Sequence, residues 1–222
     1  SDVCSSDLPT GGLSMPDNWE AAVAAASGDY VCILEDKQVL KRDALARIGE
    51  AVANRQVESV RWQSDALVDF GMGKRLRRGR RLVDCPTMMP SDEILRTFAT
   101  QSYGVSKRLL PLGHFSAVHR SLIRRIRESP LGRVCPPMAP DYTMAFAQLA
   151  LGDGILLMPD SLVAFSTVAI SNGANVRRKR GGVDALAREL GRDMAGFYDR
   201  VPVKAVTVAN GIYNDFLHLQ AA

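Results

Sequence analysis

The chain has 222 residues, 46% of them hydrophobic, and its 28 Lys and Arg against 24 Asp and Glu give a formal charge of +4. That composition supports a sizeable core and excludes wholesale disorder, and the length suits one domain with at most a small appendage. The mild basic excess suits an anionic ligand or an anionic membrane surface without selecting either.

Ser1 to Leu8, SDVCSSDL, match the in-frame translation of a common sequencing adapter, and we set them aside as a cloning or assembly scar. Without Asp2 and Asp7, 28 basic residues face 22 acidic ones, a charge of +6. Cys4 leaves with the scar. Cys32, Cys85 and Cys135 remain, widely spaced and without a Cys-x-x-Cys pair, which suggests free thiols in a reducing compartment and no zinc site. No apolar run approaches the roughly 20 residues of a membrane helix.

Ser14 to Asp17 form a capping box with proline in the first turn, and Trp19, Ala22, Val23 and Ala26 follow at helical spacing up to Gly28. Tyr30 to Leu34 reads as a buried strand, expected to be central and covered on both faces, with Glu35-Asp36-Lys37-Gln38 at its carboxyl end. Asp43 is placed to cap a helix bearing Leu45, Ile48 and Val52. Helix, strand, acidic turn, helix is α/β grammar. Glu58 to Phe70 holds one or two strands, and Lys74 to Arg81 reads as a basic loop. Ser91 is expected to cap a helix with Ile94, Leu95 and Phe98, and Ser121 another with Leu122, Ile123 and Ile126. Cys135 to Asp141 is turn-rich and leads into a helix with Tyr142, Ala145, Phe146 and Leu149, ended by Gly152. A strand over Ile155 to Met158 and an amphipathic helix from about Val183 to Tyr198 follow, and an unfinished element lies near Leu217. Trp19 and Trp62 read as core.

In open α/β sheets ligands gather at the carboxyl ends of strands, where carboxylates can hold a divalent cation against a diphosphate. The Glu35-Asp36-Lys37 turn is in that place. The stretch NWEAAVAAASGDYVCILEDKQVLKRDAL resembles the metal/diphosphate block of family 2 inverting glycosyltransferases of the GT-A type. APDYTMAFAQLALGDGILLMPDSLVAF resembles the acceptor block of the same family, and the likeness runs from about Leu13 to Asn172.

The resemblance implies an α/β fold: a GT-A-like, Rossmann-like mixed sheet flanked by helices. Only a short segment precedes Asp17, so the first nucleotide-binding βα units are expected to be lacking, and the fragment to be inactive by itself. Residues 9–176 are then a partial glycosyltransferase domain, and 177–222 a basic linker with a helical extension.

The implied activity is sugar transfer, with inversion, from a nucleotide-diphosphate sugar to a hydroxyl of a saccharide or lipid-linked acceptor. Asp36 falls on the central acidic position of the metal-binding triplet and Glu35 before it. Lys37 stands where the family carries a further Asp. A Mg or Mn ion is implied, but lysine cannot ligate one and its ammonium would repel it, although it can contact a diphosphate directly. Asp141 is the expected general base, and also an apt helix N-cap. Asn18 falls near the donor. His114 and Ser116 are the candidates for the acceptor pocket.

The basic runs at 74–81 and 177–180 suit solvated loops or contact with anionic lipid, hence a protein of the cytoplasm, peripheral at the inner face of the membrane. Lys37 leaves open a degenerate, non-catalytic domain. A nucleotidyltransferase of similar sheet architecture also stays open. A nucleic-acid-binding module is disfavoured because no aromatics interleave the basic runs.

Overall fold

The computed structural model describes residues 12–53, 55–69, 73–100, 103–136, 139–167, 198–204 and 207–221. Helix α1 spans Met15–Ala25 and α2 Ala44–Ala53; the short strands β1, Tyr30–Val31, and β2, Gln38–Leu40, lie between them. Then come β3, Ser59–Asp69, and β4, Lys74–Arg77, followed by β5, Thr87–Pro90, and α3, Ser91–Thr100. After α4, Tyr103–Ser106, a 3-10 turn at Gly113–Phe115 leads into β6, Ser116–His119, and α5, Arg120–Glu128. Helix α6, Pro140–Leu151, precedes β7, Gly154–Thr167, and α7 spans Val208–Gln220. The helix expected near 183–198 lies outside the described residues, apart from Tyr198.

The strands form one sheet in the order β1-β6-β3-β7-β2, with β4 alongside β3 and β5 alongside β7. Among the described strands only β3 and β7 run parallel, Val60 opposite Leu156; the other pairs are antiparallel. This is the mixed α/β sheet with flanking helices that the sequence implies. Alternate residues of a strand face opposite sides. Val60, Trp62, Leu156 and Met158 therefore pack with Ala44, Ile48 and Ala51 of α2. Ile155 and Leu157 pack on the other side with Ile94, Phe98, Phe146 and Ile212 of α3, α6 and α7. Trp19 and Val23 of α1 join Val31, Val118, Ile123 and Met144 in a third cluster.

Several expectations change. The 30–34 strand is not central: its paired part is Tyr30–Val31, at the sheet edge, bonded to β6. The centre belongs to β3 and β7, because those runs are long enough to pair on both sides. The basic loop is in part a strand, since Leu76 and Arg77 pair with Leu67 and Ala66. Gly73, just before this strand, has φ 109°, a backbone conformation that glycine adopts readily. On α2, Leu45 is exposed and Ala44, Ile48 and Ala51 form the buried stripe.

Capping also differs in detail. Ser14 caps α1 as expected, accepting from the Asp17 amide and donating to the Asp17 carboxylate at 2.6 Å. Helix α5 is capped instead by the His119 ring, which accepts from the Ser121 amide, while the Ser121 hydroxyl goes to Glu58 at 2.6 Å. Ser91 lies inside α3 and donates its hydroxyl to the Gly152 carbonyl at 2.6 Å.

Candidate active site

Glu35 to Gln38 form a tight turn, closed by the Gln38 amide donating to the Glu35 carbonyl at 2.9 Å. The Gln38 side chain locks it a second time, accepting from the Glu35 amide at 3.0 Å. Across the sheet, the Ser166 amide on β7 donates to the Lys37 carbonyl at 2.9 Å. The turn is therefore tied to a central strand although β1 is an edge. Within it the Lys37 ammonium lies 2.7 Å from the Glu35 carboxylate. Asp36 occupies the exposed tip and makes no ion pair or side-chain hydrogen bond among the described residues.

The 110–116 loop approaches from the other side, held by buried polar groups. Arg61 of β3 donates through Nε to the Leu110 carbonyl at 2.8 Å. The Pro111 carbonyl accepts from Ser116 Oγ at 3.1 Å and from Gln148 Nε2 of α6 at 3.0 Å, and Ser59 donates to Gln148 Oε1 at 2.6 Å. Ser116 is fully buried, and its hydroxyl secures this loop. Gly113 is required sterically, since a Cβ there would lie 2.8 Å from the Trp19 ring and 2.9 Å from Met144 Sδ.

His114 thus packs edge-on against Trp19 and beside Phe115, and its carbonyl accepts from Gln38 Nε2 at 3.4 Å. Burial pushes its imidazole down to about 4; Glu35 pulls upward, and Lys37 and Arg61 add to the depression. The ring is neutral at physiological pH, and its buried Nδ1 has no hydrogen-bond partner among the described residues.

Asp141 is not the N-cap of α6. Ala139 holds that position without a side-chain cap, Pro140 takes the first turn, and Asp141 sits one residue inside. Asp215 of α7 reaches over to accept the Ala139 amide at 3.2 Å. The Asp141 carboxyl keeps some surface open to solvent but lies deep within surrounding protein. Burial raises it to about 7, and the Glu35 charge adds to the rise. The amides of Tyr142 and Asp141, and the Lys37 charge, pull the other way. Arg61 is also buried, and burial lowers it to about 10, so it stays cationic.

The fold therefore brings Glu35, Lys37, His114 and Asp141 within electrostatic reach of one another. Asn18 is exposed on α1, where its backbone amide donates to the Ser14 carbonyl at 2.8 Å. The sequence reading missed Arg61, Gln38 and Gln148. A buried charge or amide on a central strand or helix has no local signature, although an arginine amid Ser59, Val60 and Trp62 is an anomaly that could have marked it. Two open grooves, one between α1 and α5 and one against α7, are lined by none of the four clustered residues.

The donor set fits a divalent cation poorly. Among the described residues no three His, Cys, Asp or Glu side chains converge to hold one. Glu35 is already neutralised by Lys37.

No model of a known protein family matches the chain, and no curated protein sequence does. Among solved structures it is similar to S. aureus TarS 1–349 in complex with UDP-GlcNAc, with a TM-score of 0.48 and 12% identity over 81% of this chain and 47% of that one. For TarS 1–349 alone the values are 0.48 and 13%, over 93% and 50%. For a longer TarS chain they are 0.47 and 10%, over 84% and 33%. The chain spans half or less of the length of these TarS chains.

Proposed function

We propose that this chain carries the catalytic half of an inverting GT-A glycosyltransferase, moving a sugar from a nucleotide-diphosphate donor to a hydroxyl acceptor. The observation that supports it most is Asp141, a carboxyl raised to about 7 beside the Glu35–Lys37 turn. A base works best when its pKa lies near the operating pH.

In this reading Asp141 takes the proton of the acceptor hydroxyl. The acceptor oxygen bonds to the anomeric carbon as the bond to the diphosphate oxygen breaks on the opposite face, and the electron pair leaves with the diphosphate. Opposed faces for attack and departure produce inversion. Lys37 supplies fixed positive charge to the leaving phosphate in place of a cation. Neutral His114 offers its unpartnered Nδ1 to a substrate hydroxyl.

UDP-GlcNAc is a practical first donor for calorimetry and turnover of the full-length protein, each with and without chelator. Binding of a nucleotide sugar, with activity surviving in chelator, is expected. Lys37→Asp should make activity depend on added Mg or Mn. Failure to bind any nucleotide sugar overturns the reading. Complete loss of activity in chelator overturns only the role of Lys37. The Glu35–Lys37 ion pair also favours a second reading, a domain that binds donor without turnover, which the same pair of measurements separates.

A further inference from the structure

Two unlike side chains pin the 110–116 loop. Arg61 Nε donates to the Leu110 carbonyl at 2.8 Å, and Gln148 Nε2 donates to the adjacent Pro111 carbonyl at 3.0 Å. Gln148 does this with a neutral amide, so the pinning needs no charge. Arg61 brings a full positive charge, on a residue only 5% exposed. A buried cation is costly unless an anion lies against it. No carboxylate bonds to Arg61 among the described residues.

The guanidinium is also only partly used. Nη1 donates to the Trp62 carbonyl. Nη2 makes no hydrogen bond among the described residues, yet it is not sealed from solvent as His114 Nδ1 is. Two nitrogens therefore fix the plane of the group and leave the third open to a ligand.

The register places that nitrogen in the candidate site. Arg61 pairs with Ser116 of β6 and with Leu157 of β7, and directly paired residues share a face of the sheet. Leu157 packs with Ala145 and Phe146, so this is the face that α6 covers. Ser59, two residues before Arg61, bonds to Gln148 of α6 on the same side. Here the Arg61 charge reaches His114 and Tyr142, the neighbour of Asp141.

We propose that Arg61 is an anion-binding residue of the site, its Nη2 donating to an oxygen of a substrate phosphate that supplies the missing countercharge beside His114 and Asp141. Arginine is suited to this, because a fixed guanidinium gives phosphate a directed, charge-assisted bond. Two sources offer the same chemistry, the diphosphate of the donor and a phosphate on the acceptor. That the anion belongs to a substrate rests on the glycosyltransferase reading; the anion site itself does not.

The test is NMR titration of the full-length protein with inorganic phosphate, read at the histidine rings and assigned with His114→Gln. Arg61 depresses the His114 imidazole, so phosphate bound to Arg61 should raise its midpoint from about 4 and leave His119 and His218 in place. Arg61→Gln should weaken phosphate binding about tenfold or more, the loss expected for a charge-assisted hydrogen bond, and Arg61→Lys by less. Arg124→Gln removes an equal charge from the exposed side of α5 and should cost less than about twofold. An unmoved His114 in the wild type overturns the site, whether or not the Arg61 variants fold. So do equal losses in Arg61→Gln and Arg124→Gln. A saturating UDP-sugar separates the sources: displacement of phosphate assigns Arg61 to the donor diphosphate, and simultaneous binding assigns it to the acceptor. Phosphate binding through Arg61 without binding of any nucleotide sugar would keep the anion site and remove the glycosyltransferase reading. Sugar transfer with phosphate binding indifferent to Arg61→Gln would do the reverse.

Discussion

Two aspartates in this molecule show how opposite surroundings divide one side chain into two roles. Asp65, in the middle of β3, is almost covered. Burial pushes its carboxyl upward, but the Gly79 amide at 2.7 Å, the Lys41 ammonium at 2.9 Å and the Ser161 hydroxyl outweigh it and hold it at about 2. Asp141 meets no cation at hydrogen-bonding distance among the described residues, and burial with the Glu35 charge raises it to about 7. Coverage by a few polar partners makes a permanent anion that clasps the segment after β4, at Arg78 and Gly79, to β3. Burial without a cation at hydrogen-bonding distance makes a group that exchanges a proton near neutrality.

The sharpest separation is kinetic. On the proposed reading, Asp141→Asn in the full-length protein keeps the shape and removes the base, so turnover should fall by about 10²–10⁴ with donor affinity unchanged. Asp65→Asn should leave the turnover of the folded protein nearly intact. Normal turnover in Asp141→Asn would erase the distinction. In the wild type, the rate should climb with pH through about 7, as the Asp141 carboxyl ionises.

Stability should separate them with opposite signs. Asp141 is raised on folding, so between about pH 4 and 7 the unfolded chain loses this proton and the folded one retains it. The ionised form therefore costs stability above pH 7, by about 4 kcal/mol at most. Asp141→Asn should melt higher than wild type at pH 8, and the two should converge near pH 4. A variant that melts lower at pH 8 would mean that the carboxylate is stabilising.

Asp65 is depressed on folding, so its contribution is present above about pH 4 and lost as pH falls towards 2. Asp65→Asn should cost about 2 kcal/mol at neutral pH by denaturant unfolding, with the difference vanishing in acid. Equal stability at pH 7 would show that Lys41 and the Gly79 amide gain nothing from the charge.

The smallest effects test the coupling inside the site. Glu35 raises Asp141 and Lys37 lowers it. Glu35→Gln should move the rate's pH midpoint down and Lys37→Met should move it up. Shifts of the same sign in both would separate the turn from the base.

Helix positions were legible because helical hydrogen bonds join residues four apart, and the apolar period of 3.6 is written in consecutive sequence. Trp19 and Val23, Ile94 and Phe98, and Leu122 and Ile126 all face the core as their spacing indicates. The segments carrying Glu35–Lys37 and Asp141 were likewise visible from a strand end and a helix start. A strand's partner is remote in sequence, and its choice leaves no local mark. The place of Tyr30–Val31 at an edge, the pairing of Val60 with Leu156, and the conversion of a basic loop into β4 were decided by the assembled sheet. So was the choice within the acidic turn: Asp36 is the middle residue of Glu35-Asp36-Lys37, yet it occupies the exposed tip, and Glu35 is the neighbour whose charge reaches Asp141. A sequence names the carboxyl groups, whereas their proton affinities depend on burial and on charges brought near only by tertiary packing.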